Sequence, residues 1–309
     1  MTLPTNLNFF YVFLPMLILY SSSFLASASD SKAEDEKFTY AIGSSTGPEN
    51  WWHVNQKWKT CGDGKLQSPI DLLDQRVQEL PQLGKLKKAY KSAPAVLKNS
   101  GHDIVNQLLT VGPNMWCWIS NVYPNTHSIL LFHELLIFRL EWKGDAGHLN
   151  INETYYNLIQ CHWHTPSEHT LNGTKFDLEL HAVHKSSKGE FAVIGILYKI
   201  GSPDPFFSKL LNDIKSSVDK DIDVGVINPR EIKFKSRPYY RYVGSLTTPP
   251  CTEGVVWTIV KKVRTVSSEQ LSALKGAVHH GYEENARPTQ ELGGRQVWLY
   301  GPMENEKPT

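Results

Sequence analysis

At 309 residues and 40% hydrophobic content, the chain can bury a substantial core, and all-β domains often reach this size as one unit. A net charge of +1 without a basic or acidic block excludes the cationic face that a nucleic-acid or membrane-surface binder needs.

The N-terminus stands apart. Residues 1–29 carry no charged side chain, and Phe9 to Leu19 is almost wholly apolar. Ser21-Ser22-Ser23 and Ala26-Ser27-Ala28 follow, which predicts a secretory signal peptide over residues 1–28. No Lys or Arg precedes the apolar run, so an uncleaved anchor helix is the alternative; after cleavage no stable membrane insertion is expected. Residues 29–37 are polar without periodicity and read as a flexible lead-in. A single domain is expected over 38–300, with 301–309 as a tail.

From Phe38 onward, Gly47-Pro48-Glu49-Asn50-Trp51 and Cys61-Gly62-Asp63-Gly64 alternate turn residues with aromatics, predicting an ordered but irregular wrap. A Lys-rich stretch follows up to Lys98. Phe191–Ile200 and Gly254–Val263 are continuous β-branched apolar runs suited to buried strands. Asp204 before Pro205 predicts a helix with Phe206, Phe207, Leu210, Leu211, Ile214 and Val218 on its apolar stripe. Ser267 or Ser268 caps a second helix, with Leu271, Leu274 and Val278 facing inward. The class is mainly β (α+β): a large central, mostly antiparallel twisted sheet with a few peripheral helices.

Four cysteines, Cys61, Cys117, Cys161 and Cys251, permit disulfides in an oxidising compartment, though spacing does not settle their connectivity. The sequons at Asn152 and Asn172 are glycosylation acceptors along that route.

The chemistry concentrates in Gln160-Cys161-His162-Trp163-His164 and Phe176 to His184. Strand side chains alternate faces, so His162 and His164 point the same way, about 7 Å apart. Glu179, His181 and Val183 likewise share a face. Asn172-Gly173 between the runs is a hairpin signal. Antiparallel pairing would let three imidazoles converge as an open, catalytic Zn²⁺ site, whereas a closed structural site would want a fourth protein ligand. Gln160 and Glu179, each two residues before a histidine, are placed to accept the second ring N–H.

These runs, with Ser167-Glu168-His169 between them, resemble the α-class carbonic anhydrases, most closely the plant secretory type. Gln67-Ser68-Pro69-Ile70, Gly244-Ser245-Leu246-Thr247-Thr248-Pro249-Pro250-Cys251 and Asn285-Ala286-Arg287-Pro288 match further signatures. The resemblance implies His162, His164 and His181 as zinc ligands and reversible hydration of CO₂ to bicarbonate by attack of zinc-bound hydroxide. Ester hydrolysis would be a side activity. It implies that Thr247 donates to Glu168 while accepting from the nucleophile, that Val183, Val193, Leu246 and Trp257 form the CO₂ wall, and that His102 shuttles protons. Tyr40 matches an aromatic beside the water chain. Cys61 and Cys251 match a disulfide of secreted members, and Cys161 is left as a buried free thiol. The implied location is extracellular or apoplastic, with a plastid reached through the secretory route as alternative. Composition leaves the oligomeric state open.

One stretch departs from the family. Joining Val105 to Leu140 restores a clean strand and turn, but residues 106–139 intervene. The Leu/Phe/Ile-rich end before Arg139 is what a translated pyrimidine-rich intron end would give, so the segment reads as a retained intron or mispredicted gene model. A genuine surface excursion is the alternative. Should the insert disrupt the site, a non-catalytic storage or binding protein of the same family is the rival function.

Overall fold

The computed structural model describes residues 38–99, 138–217, 220–234, 238–278 and 281–301. The expected signal peptide and lead-in, His102, most of the insert with Cys117, Val218, and the tail beyond Gly301 lie outside these residues.

In chain order, the strands are β1 (Asp71–Leu72), β2 (Val77–Glu79), β3 (Lys87–Tyr90), β4 (Ala93–Lys98) and β5 (Arg139–Trp142). Then come β6 (Gly147–Ile151), β7 (Thr154–His164), β8 (Thr170–Leu171), β9 (Leu178–Ser186) and β10 (Phe191–Ile200). The last are β11 (Ile222–Ile227), β12 (Tyr239–Ser245), β13 (Glu253–Val266) and β14 (Val297–Tyr300). Among the described residues four α-helices accompany them: α1 (Trp51–Val54), α2 (Thr60–Asp63), α3 (Pro205–Ser216) and α4 (Ser268–Ala277).

Among the described residues, twelve strands form one sheet in the order β11-β4-β5-β7-β9-β10-β13-β12-β14-β2, with β6 also on β7 and β3 on β6. Its pairs are antiparallel except β10 with β13 and β14 with β2. The expected mostly antiparallel sheet is therefore observed. β10 coincides with the apolar run at Phe191–Ile200, buried on both faces through Tyr198 as a central strand must be.

One face of the sheet packs the larger core, with Phe206, Phe207, Leu210 and Ile214 of α3 and Ala273 and Leu274 of α4. Asp204 caps α3 by accepting from the Phe206 and Phe207 N–H groups, with Pro205 at the first helical position. Ser267 caps α4 in a reciprocal box with Gln270. The opposite face carries Val183, Val193, Tyr240, Tyr242 and Trp257, and there the histidines lie.

One expectation needs correction. Asn172-Gly173 does not turn β7 directly into β9. It closes the small Leu171–Thr174 bridge, because β8 is diverted to pair in parallel with β1. At the end of the segment read as an insert over 106–139, Arg139 pairs with Lys98 and His162 and Phe138 packs against Trp163. β3 and β4 went unpredicted because β3 opens on two lysines and β4 carries Pro94 among small side chains, so neither shows a clear apolar alternation.

Candidate metal centre

β7 and β9 pair antiparallel with His162 directly opposite His181 and His164 opposite Glu179. The aim of the histidines depends on an irregularity one turn earlier. Before it, Tyr156 and Leu158 face the helix-covered core; after it, Cys161 and Trp163 do. The register shifts between Leu158 and Gln160, so Ile159 is a bulge that changes which alternate residues face which way. Gln160, His162 and His164 are thereby turned toward the opposite face. The three ring centroids lie 4.6 to 5.1 Å apart.

Each imidazole has one nitrogen committed. His162 Nδ1 donates to Gln160 Oε1 (3.0 Å), His181 Nε2 to Glu179 Oε1 (2.8 Å), and His164 Nδ1 to the Asn285 carbonyl (2.8 Å). A carboxylate and a carbonyl only accept, so these bonds set the tautomers. Ligand atoms from all three histidines converge within 4.8 Å. The structure also supplies a test of fit for a cation. His164 Nε2 and Glu168 Oε2 are buried without a hydrogen-bond partner among the described residues, and they lie 3.5 Å apart beside the triad. Two buried acceptors facing each other without a donor call for a positive charge between them. Three neutral imidazoles plus an open side suit Zn²⁺.

Burial pushes the His162 imidazole well below its ordinary pKa, with His164 and His181 adding to the effect. Burial likewise lowers His164. Both therefore stay neutral, as metal ligation requires. Burial alone would raise the Glu179 carboxyl, but His169 and His181 hold it well below the usual range. That carboxylate is saturated: Oε2 accepts the Glu168 and His169 backbone N–H groups, and Oε1 accepts from the His169 and His181 rings.

From His169 a buried relay runs outward. Its Nε2 accepts from the Tyr242 hydroxyl (2.7 Å), which also meets Ser68 Oγ (2.9 Å). Ser68 and Ser245 exchange two bonds, N–H to Oγ in each direction. Gly244 permits this approach, since a Cβ there would sit 2.1 Å from Ser68 Oγ. The relay ends at Leu246, whose carbonyl accepts from Ser245 Oγ.

An open cleft of about 330 Å³ reaches the triad, lined by His162, His181, Val183, Val193, Leu246, Thr247, Thr248 and Trp257. All four expected wall residues are therefore on it. Val193 stands across from Val183 on β9 and from Trp257 on β13, which is why residues far apart in sequence share one wall. Thr247 is on the cleft, but Glu168 Oε2 is unpartnered among the described residues, so the expected Thr247–Glu168 bond is not made. The other oxygen, Oε1, accepts the Arg287 backbone N–H (2.9 Å).

Cys61 and Cys251 are joined in a disulfide, and Cys161 is a buried free thiol whose pKa burial raises. The disulfide ties α2 to the Thr247 loop. Arg287, 1% exposed, bonds the Cys61 carbonyl, the Ser68 carbonyl and Gln67 Oε1, and its guanidinium lies 5.5 Å from the Trp51 ring centroid. Tyr40 is buried in the same aromatic cluster. Sequence reasoning missed the Asn285 carbonyl, the Arg287 anchor and the His169–Tyr242 relay. The last two had a signal, since Arg287 and His169 each lie in a motif that carried the resemblance, but neither motif named their partners.

The description eukaryotic-type carbonic anhydrase matches residues 46–301. Alpha carbonic anhydrase 4 of Arabidopsis thaliana is 47% identical over 291 residues, covering 94% of this chain and 96% of that protein. Dioscorin DB3L of Dioscorea polystachya is 41% identical over 288 residues, 92% of this chain and 93% of that one. Among solved structures, dioscorin complexed with ascorbate superposes with a TM-score of 0.74 at 39% identity, covering 87% of this chain and 99% of that one. With a matching sheet, a convergent histidine triad and these relatives, the chain belongs to the eukaryotic-type carbonic anhydrase family.

Proposed function

We propose that the chain hydrates CO₂ reversibly, with one Zn²⁺ held by His162 Nε2, His164 Nε2 and His181 Nδ1. The observation that carries this reading is the convergence of three ring nitrogens within 4.8 Å on an apolar cleft, each ring held by an acceptor at its other nitrogen. Zinc bound there would supply a water that ionises near neutral pH, a property known from carbonic anhydrases themselves rather than read from this chain. Gln160, Glu179 and the Asn285 carbonyl keep the rings aimed. Val183, Val193, Leu246 and Trp257 give CO₂ an apolar wall and keep bulk water from it. An ionised Glu168 can only accept, so a Thr247 hydroxyl that donates to it presents its lone pairs to the cleft and orients the nucleophile. His102 carries the proton outward. Ester hydrolysis is a side activity of the same site.

The open Thr247–Glu168 contact and the dioscorin likeness favour one second reading, a non-catalytic storage or binding protein. A formed Cys61–Cys251 disulfide supports entry through the secretory route behind a leader over residues 1–28, toward the apoplast or a plastid. Residues 106–139 are read as a retained intron or mispredicted gene model.

The test expresses the chain with and without residues 106–139 and measures bound zinc and CO₂ hydration by stopped flow. The expected result is one zinc per chain and hydration that H162A abolishes. Zinc bound with no hydration in either form would instead establish the non-catalytic reading.

A further inference from the structure

The two sequons differ in what their carboxamides do. Asn152 and Asn172 are both exposed, and both open a two-residue turn, with φ of 47° and 49°. At Asn172, Oδ1 accepts the Asp74 backbone N–H (2.8 Å) while Nδ2 donates to Asp74 Oδ2 (3.1 Å). Asp74 in turn accepts from the Tyr240 hydroxyl (2.6 Å) and from Lys261 Nζ (3.0 Å). The Asn172 backbone N–H is also committed, to the Leu72 carbonyl (3.1 Å). Asn172 is therefore a strut between β8 and the segment after β1. The Asn152 carboxamide makes no hydrogen bond to any described residue. Its turn caps the β6–β7 hairpin beside Tyr155, which is 59% exposed and packs edge-on against His148.

We propose that Asn152 carries an N-linked glycan and that Asn172 stays unmodified, its carboxamide serving as a clasp on Asp74. In the transfer, Nδ2 bonds to C1 of the reducing-end N-acetylglucosamine of a lipid-pyrophosphate-linked oligosaccharide. The C1–O bond breaks, the lipid pyrophosphate leaves with the electron pair, and Nδ2 yields one proton to a base of the transferase. The product is a secondary amide, planar and trans, which puts the sugar carbon on the same side as Oδ1. A two-point clasp uses the N–H on that same side. A sugar on Asn172 would thus replace the hydrogen that bonds Asp74, whereas on Asn152 it replaces a hydrogen bonded to no described residue. Asp74 precedes Asn172 by 98 residues, so it is already synthesised when the sequon emerges. At Asn152 the exposed Tyr155 ring offers the first sugar an apolar face.

The inference rests on the secretory route proposed above, and the test separates the two. The full chain is expressed in leaf cells, recovered, and deglycosylated by a glycan amidase in heavy-oxygen water. Mass spectrometry is expected to find the label at Asn152 and none at Asn172. T154A, which removes one sequon and keeps its asparagine, should abolish the glycan-dependent gel shift, and T174A should leave it unchanged. Label at Asn172, or a shift lost in T174A, overturns the assignment. A chain that keeps residues 1–28 and stays in the cytosol fails the secretory reading instead. Occupancy is then read on the full chain behind a foreign leader, where an unlabelled Asn152 overturns the inference. Independently, Asn172→Ala should lower the melting midpoint further than Asn152→Ala, since both give up a left-handed asparagine and only Asn172 also gives up the bonds to Asp74; the reverse order sinks the clasp.

Discussion

At the residue scale the centre depends on Glu179, whose two oxygens take four N–H groups with no lone pair to spare. In E179Q the amide N–H₂ must face either two backbone donors or two imidazoles, a donor-to-donor conflict in a fully buried position. Loss of such an outer partner weakens metal binding by about 10–100-fold. Competition against a chelator should show that drop in E179Q, and unchanged affinity would remove Glu179 from the centre. The triad and the two acceptors Gln160 and Glu179 were legible because strand alternation is short-range and regular. The third acceptor was not, since a backbone carbonyl such as that of Asn285 leaves no trace in residue type. Arg287 was visible only as part of a motif, because its partners lie more than two hundred residues upstream.

At the element scale, helices α3 and α4 are locked through their caps. The Asp204 side chain caps α3 and pairs with Arg264, while Gln270 of the α4 cap bonds both the Asp204 N–H and its carbonyl. D204A should cost about 0.5–2 kcal/mol from the cap, read by denaturant unfolding. A second tie joins β9 to β3, where His184 donates from Nδ1 to the Ala192 carbonyl and its Nε2 accepts from the Tyr90 hydroxyl. Burial pushes the His184 imidazole down to about 4, from an ordinary 6.5. Between those values the unfolded chain binds a proton that the folded chain does not. His184 thus contributes full stability above about pH 6.5 and loses it progressively toward pH 4. Unfolding midpoints measured across that window should fall with acid in the parent and less steeply in H184Q. Elements were legible where one signal dominated, as at the Phe191–Ile200 run or the Asp204-Pro205 start. The Asn172-Gly173 turn was legible as a turn but not as to which strands it joins, since that depends on β1, a hundred residues away.

At the scale of the whole molecule, the Cys61–Cys251 disulfide spans 190 residues and encloses most of the sheet. Loop entropy puts its contribution at about 5 kcal/mol as an upper figure, with removal of native disulfides in small secreted domains costing about 2–5 kcal/mol. The C61S/C251S pair should unfold at correspondingly lower denaturant; an unmoved midpoint would mean the tether constrains little in the unfolded chain. Fold class was legible from composition and patterning, but the strand order was not. A sheet whose central β10–β13 pair is parallel needs a long crossover, and nothing local in either strand records its partner.

The bulge at Ile159 bears on the centre in a way that no contact map would reveal. A strand has a phase, and one extra residue inverts it for everything downstream. The imidazoles of β7 face the cleft because Ile159 shifts that phase between Leu158 and Gln160. Deleting Ile159 removes the shift and the extra residue together: Leu158 becomes the neighbour of Gln160 as their partners His184 and Val183 are neighbours, so His162 and His164 keep the cleft face. Such a variant should still bind zinc by elemental analysis, and a soluble variant without zinc would mean that the bulge itself shapes the ligands. In this strand, metal binding is a property of parity as much as of histidine.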